Sequence, residues 1–355
     1  MPFVIFAAHQ VPPELGVMRL FKAPRDASRS QCVPNWRQRK LNLVNSDFLD
    51  TVSATGQILW PCFGSMEIEE KSALDLISRT TTGLPLIKAP SNEDTRHPRL
   101  HLYPGFKSRY LPDLRDIIVY VPPGYMSDIE AHFPVLYLHD GQNLFDGRTS
   151  YIKDKTWQVR EAADAGIESG QVEPLIIVGI YNTGERRLAE YTPEPSVHLG
   201  GGEGDAYGLL ITRELMPWIA HNYRVRQDRD STGMGGASLG GLVTLYLGLR
   251  HPEVFGRLAV LSPSVWWNHK CILSHINELS PEIWERPKIW LDVGDKEGQR
   301  TIRDVELLAR RLKANGWKPE ETLHIEYVPG GTHDETSWAR RVGPFLRFLF
   351  PAGTQ

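Results

Sequence analysis

Basic residues are not in excess: 40 Lys and Arg stand against 43 Asp and Glu, a formal net charge of −3 at pH 7. A nucleic-acid partner or an anionic membrane surface therefore has no electrostatic support. Cysteine is scarce, with 3 in 355 residues, at Cys32, Cys62 and Cys271. They are odd in number, far apart and in no CxxC pair, so they predict neither a zinc site nor a redox motif and read as free thiols in a reducing compartment. Long apolar runs are missing too. The opening MPFVIFAAHQVPPE holds only VIFAA, with no basic flank and no small-residue cleavage site, so no signal peptide or membrane span is expected and a cytoplasmic location follows. No internal repeat is found. The glycine-rich tract LGGGEGDAYG lacks the Lys-Ser/Thr of a phosphate loop and the strand-turn setting of a dinucleotide fingerprint, and is expected to be a flexible loop with Asp205 capping the following helix. No cofactor is expected.

What remains is the composition of an ordinary globular protein, 41% hydrophobic and 23% charged, in a chain longer than the roughly 100–200 residues of one typical domain. Two textures are visible. Residues 1–95 hold short extended patches (FVIFAA, VMRLF, KLNLV, QILWPCF) between turn-forming residues, which suits a small β-sandwich-like domain. Residues 96–355 alternate β-branched apolar runs with amphipathic segments. DIIVYV, PVLYLHD, PLIIVGIY, TGMGGAS, RLAVLS, KIWLDVG and LHIEYVPG read as strands. TWQVREAADAGIES, AYGLLITRELMPWIAHNY, LGGLVTLYLGLRH, TIRDVELLARRLKANG and SWARRVGPFLRFLF carry helical spacing. Such alternation predicts an α/β domain, a doubly wound, mostly parallel sheet with helices on both faces. The polar, proline-bearing stretch APSNEDTRHPRLHLYP (90–105) reads as the linker.

One stretch carries chemistry. In MGGASLGG, Gly236, Ser238 and Gly240 spell G-x-S-x-G between a predicted strand and a predicted helix, where a sharp bend presents the serine at the carboxyl edge of the sheet. The N–H of Leu239 then opens the helix and points toward the oxygen of whatever carbonyl the serine attacks. A serine needs a base, and the base an orienting acid, following in the order Ser, Asp or Glu, His. Downstream stand His251, His269, His275, His324 and His333. His333 alone lies in a glycine-rich loop, PGGTHDE, between a strand and a helix, and is the predicted base. After KIWLDVG, the acid is Asp295 or Glu297, with Asp292 serving the backbone. The turn after PVLYL contains Gly141, and the N–H of Gln142 is the predicted second oxyanion donor. HDG…D offers too few convergent ligands for a metal, and no metal site is predicted.

Together YLHDGQNLFD, VGIYNTGERRLAEYTP, GGASLGGLVTLYLGLRHPEVFG, LSPSVWW, LDVGDKEG and PGGTHDETSWARR resemble the putative-esterase family of α/β-hydrolases, which includes enterochelin esterases, feruloyl esterases, S-formylglutathione hydrolase and mycolyltransferases. The resemblance runs in order across residues 114–350. It implies a serine carboxylesterase working through an acyl-enzyme on a small-molecule or sugar-linked ester, favours Glu297 over Asp295 as the acid, and supports Gln142 as the donor. It also implies that Arg187, Tyr191 and Trp267 line the substrate pocket; the residues themselves equally allow a loop salt bridge and core packing. PPELGVMRLF and ILWPCFGSMEIEE resemble more weakly a starch-binding-type module. Acyl transfer by the same triad, amide hydrolysis and a non-catalytic carbohydrate-binding or scaffold role on the same fold stay open.

Overall fold

The computed structural model describes residues 57–60, 63–67, 97–278 and 286–353. The chain divides into two compact units, Met1–Gly83 and Leu84–Gln355. In the first, β1 (Gln57–Trp60) and β2 (Phe63–Glu67) pair antiparallel, so the patch QILWPCF contributes to both strands. The rest of the β-rich domain expected over 1–95, including Cys32 and Cys62, lies outside the described residues.

The second unit is built on an eight-stranded sheet. Its strands are β3 (Leu100–Phe106), β4 (Arg115–Tyr120), β5 (Val135–His139) and β6 (Ile176–Ile180), then, after a separate small hairpin of β7 (Pro195–Ser196) and β8 (Gly200–Gly201), β9 (Thr232–Ala237), β10 (Arg257–Leu261), β11 (Lys288–Gly294) and β12 (Leu323–Val328). They lie in the order β12-β11-β10-β9-β5-β6-β4-β3. From β12 to β6 every pairing is parallel, and β4 and β3 close the far edge antiparallel. β5, β6 and β9 are buried along their whole length, which is why their sequences read as unbroken runs of apolar or small residues.

All seven expected strands are present, and β3 is an eighth. It takes up the last part of the linker expected over 90–105, because Leu100–Phe106 is hydrogen-bonded to β4, while residues 90–96 lie outside the described residues. Pro104-Gly105 made it look like a turn. The register shift between Tyr103 and Phe106 absorbs that dipeptide, a tolerance reserved for sheet edges.

Helices α1 (Val159–Glu168), α2 (Arg187–Glu190), α3 (Gly204–Leu210), α4 (Met216–Asn222), α5 (Leu239–Arg250), α6 (Ile272–Asn277), α7 (Gln299–Ala314) and α8 (Glu335–Leu349) connect the strands. Two apolar clusters cover the two faces. One gathers Leu210, Ile219, Leu242, Val243, Ile272 and Leu308 from α3 to α7; the other gathers Val159, Ala163, Val342, Phe345 and Leu349 from α1 and α8. The helix expected over 206–223 is interrupted by a π-helical turn, Ile211–Leu215, just before Pro217, whose missing N–H cannot close the regular ladder. The tract LGGGEGDAYG is not a loop: it supplies β8 and the start of α3. Asp205 is not its cap either, since Glu203 occupies that position and Asp205 accepts the Tyr246 hydroxyl at 2.7 Å.

Candidate active site

Ser238 sits where β9 turns into α5, with φ 60° and ψ −120°. A side-chain-bearing residue is held in this region only where its surroundings enforce it. The enforcement is visible. Its N–H donates to Leu261 O at 3.0 Å, while its own carbonyl accepts both Leu242 N–H in α5 and Ser264 N–H, each at 3.0 Å. Gly236 makes the bend possible, because a Cβ there would stand 2.9 Å from the carbonyl carbon of Gly240. The Ser238 hydroxyl lies 3.3 Å from Ser264 Oγ. Ser264→Ala should lower kcat by several-fold to about tenfold with little change in KM, since one hydrogen bond of about 1 kcal/mol that orients the hydroxyl is lost; steady-state kinetics on one ester would show it.

Glu297 and His333 meet across two neighbouring loops. His333 Nδ1 is 2.7 Å from Glu297 Oε2, and the imidazole edge packs against Trp338, ring centres 5.0 Å apart. The loops are stitched together by Lys296 N–H donating to Gly331 O at 2.9 Å and Asp295 N–H to Val328 O at 3.1 Å. The approach is so close that a Cβ on Gly294 would fall 2.3 Å from Gly331 O. Asp295, the other acid that the sequence allows, is exposed and accepts Gly330 N–H at 2.9 Å. It holds the histidine loop; Glu297 holds the histidine.

The Glu297 carboxylate is fully buried. Its Oε1 accepts Ser262 Oγ–H at 2.6 Å, Gly294 N–H at 2.8 Å and Arg341 Nη2 at 3.1 Å. Burial pushes its pKa up, but hydrogen bonds from His333, Ser262 and Gly294 outweigh burial and hold it down at about 2. A carboxyl with a folded value below its unfolded value of roughly 4.3 stabilises the fold above that pH and loses its contribution as pH falls toward the folded value. Glu297→Gln should therefore flatten the decline of unfolding free energy between about pH 4 and 2, as measured by urea titrations. Arg341, 2% exposed, also reaches Asp292 Oδ1 and Ser262 Oγ, both at 2.7 Å, so Asp292 serves a buried ion pair as well as the Ser262 backbone N–H at 3.2 Å.

Across the bend stands the end of β5. Asp140 adopts a left-handed conformation (φ 56°, ψ 46°) and leads into a tight 3-10 turn, Gly141–Asn143, that contains Gln142. The leading amides of such a turn have no carbonyl within it to bond. The turn abuts the start of α5: a Cβ on Gly240 would be 3.4 Å from Asp140 Oδ2 and 3.5 Å from His139 Cβ. Gln142 and Leu239 are thus carried on adjoining segments.

Arg187 forms the loop salt bridge, with Nε and Nη2 each 2.7 Å from the two Asp140 oxygens, and Asn182 Nδ2 adds a third bond to Asp140 at 2.7 Å. Of the other two residues expected at the pocket, Tyr191 and Trp267 are both 0% exposed in this structure, the packed placement that their residue types equally allow. Tyr191 Oη accepts Asp140 N–H at 3.2 Å, and Trp267 Nε1 donates to Glu194 O at 2.9 Å, so both brace the walls from behind. The neighbouring ring, Trp266, is 44% exposed. In HDG…D, His139 is buried against Tyr207 Oη at 2.9 Å and Asp140 is committed to Arg187, so the motif is structural.

Ser262, Ser264 and Arg341 escaped the sequence reading. The two serines follow a strand as many loop serines do. Arg341 left a signal: it sits between Trp338 and Phe345 on the apolar stripe of α8, where an unpaired charge would not be tolerated.

A mostly parallel sheet in this strand order, with a strained serine at a strand-helix bend and a His–Glu pair on loops beyond the parallel strands, defines an α/β-hydrolase. The family described as "Putative esterase" matches residues 108–348, well over half of the chain, and the chain belongs to it. It is an ester hydrolase. The chain is 27% identical over 259 residues to YbbA of Bacillus subtilis (strain 168), covering 69% of this chain and 96% of that protein. It is 29% identical over 243 residues to the iron(III) salmochelin esterase of Escherichia coli O6:H1, covering 63% of this chain and 51% of that protein. Among solved structures, an IroE-like serine hydrolase from Shewanella oneidensis superimposes with a TM-score of 0.59 at 22% identity, over 71% of this chain and 80% of that one. Among the described residues no helix is long and apolar enough to cross a membrane.

Proposed function

We propose that the protein hydrolyses carboxylic esters through an acyl-enzyme formed on Ser238. His333 accepts the Ser238 proton as Oγ adds to the ester carbonyl carbon, then delivers it to the departing alcohol. Glu297 fixes the imidazole through Nδ1 and stabilises it while it carries a positive charge. The N–H groups of Leu239 and Gln142 receive the carbonyl oxygen as it becomes negative, Leu239 with the added field of the α5 N-terminus. Water activated by the same histidine releases the acid and restores the hydroxyl.

The observation that carries this reading is the backbone of Ser238, held at φ 60° and ψ −120° by three backbone hydrogen bonds next to the loop bearing Ser262, which itself donates to Glu297. Strain of this kind is maintained against a cost of about 1–3 kcal/mol. A fluorophosphonate probe should label the protein once, with the adduct on the peptide containing Ser238 by mass spectrometry, and labelling should abolish turnover of p-nitrophenyl esters. Labelling elsewhere, or turnover that survives it, would sink the assignment. The half-exposed Trp266 favours acyl groups with an aromatic or extended apolar face, and catecholate siderophore, feruloyl and short-chain acetyl esters compared side by side would rank them.

A further inference from the structure

We propose that Glu194, Cys271 and His275 form a zinc-binding site at the base of the β7–β8 hairpin, separate from the residues of the ester-cleaving reaction. Each offers one ligand atom, and the three atoms lie within 4.8 Å of one another. Cys271 caps α6 and His275 follows four residues later, so one helical turn presents both to the same side. Glu194 comes from far upstream, immediately before β7. His275 Nε2 is a buried atom without a hydrogen-bond partner, while Nδ1 faces Glu278 Oε2 at 3.9 Å. An orphaned ring nitrogen is costly in a metal-free protein.

The donor set decides the ion. One thiolate sulfur, one imidazole nitrogen and one carboxylate oxygen suit zinc and do not suit magnesium or calcium, and three protein ligands leave a fourth tetrahedral position for water. Bond lengths of roughly 2.0–2.3 Å in a tetrahedron place ligand atoms about 3.3–3.8 Å apart. The observed spacing, within 4.8 Å, has to tighten by up to about 1 Å on binding. The Cys271 thiol hydrogen-bonds to the Glu194 carboxylate. Binding replaces this with a sulfur–zinc bond and releases the thiol proton to solvent, with no change of oxidation state. The residues come from two distant segments, which is why the cysteine spacing gave no zinc signature. A bound ion would fasten the hairpin to α6, just beyond Trp267, whose indole already donates to Glu194 O.

The test uses the intact chain after chelator treatment and dialysis. Equilibrium dialysis should show one zinc per chain, and cobalt(II) in its place should give a thiolate-to-cobalt charge-transfer band in the near ultraviolet that is absent from Cys271→Ser. Because Cys271 is buried, the half-buried positions supply variants that keep the fold: His275→Gln and Glu194→Gln should each weaken zinc binding by at least about 100-fold. Both should also abolish the zinc-dependent rise in Tm. His324→Gln, in an unrelated His–Glu cluster, should change none of these readings. The proposal is overturned if wild type shows no cobalt–thiolate band, or if stoichiometric zinc uptake survives His275→Gln and Glu194→Gln. None of these readings depends on ester turnover.

Discussion

Replacing Ser238 with alanine should lower kcat for ester hydrolysis by on the order of 10⁵-fold or more, with KM nearly unchanged, because the bond-forming atom is removed while the walls of the site stay in place. Residual turnover above the uncatalysed rate would come from the two amide donors and from binding. The same position carries a second, independent expectation. At φ 60° and ψ −120°, alanine inherits the backbone strain and glycine escapes it. Ser238→Gly should therefore be as inactive as Ser238→Ala yet more stable by about 1–2 kcal/mol. Comparing the two variants in urea separates chemistry from conformation. Equal stabilities would mean that the bend is not strained.

Arg341→Met should cost about 3–5 kcal/mol, a large part of the 5–15 kcal/mol that a domain of this kind possesses. The guanidinium is 2% exposed and its two terminal nitrogens serve Asp292, Glu297, Ser262, Ser337 and the carbonyl of Thr332. Its loss leaves Asp292, fully buried, with the Trp290 indole N–H and the Ser262 N–H as its remaining partners. It also removes one of the groups that orient Glu297. Activity should fall even under conditions where the variant remains folded. Arg341→Lys should recover part of the stability and little of the geometry, since a single ammonium cannot reach two carboxylates and three other acceptors from one plane. Chemical denaturation and kcat, measured on both variants, check these expectations.

The sheet was legible because its parallel strands read as short apolar runs between helical patterns, β5, β6 and β9 being buried along their whole length. The bend at Ser238 was legible because only small residues fit beside it. β3 was not, because Pro104-Gly105 imitates a turn and an edge strand is permitted that dipeptide. The β7–β8 hairpin was missed for a related reason, its strands being two residues each and rich in glycine. For the acid, sequence alone left Asp295 and Glu297 open; both lie just past the same strand, and what separates them is which one turns inward under the histidine loop. For Tyr191 and Trp267, pocket lining and core packing stayed open because an aromatic side chain beside a site gives no sign of which side of the wall it occupies. The distinction lies in the path of α2 and the turn around Trp267, set by tertiary contacts.

The guanidinium of Arg341 joins the carboxyl edges of β10 and β11 to the interior of α8, and Glu297 is one of its acceptors. The Glu297–His333 pair thus has no separate foundation that could give way early. On slow heating, loss of turnover and loss of near-ultraviolet circular dichroism should trace a single curve, with no temperature range in which an intact-looking molecule has gone silent.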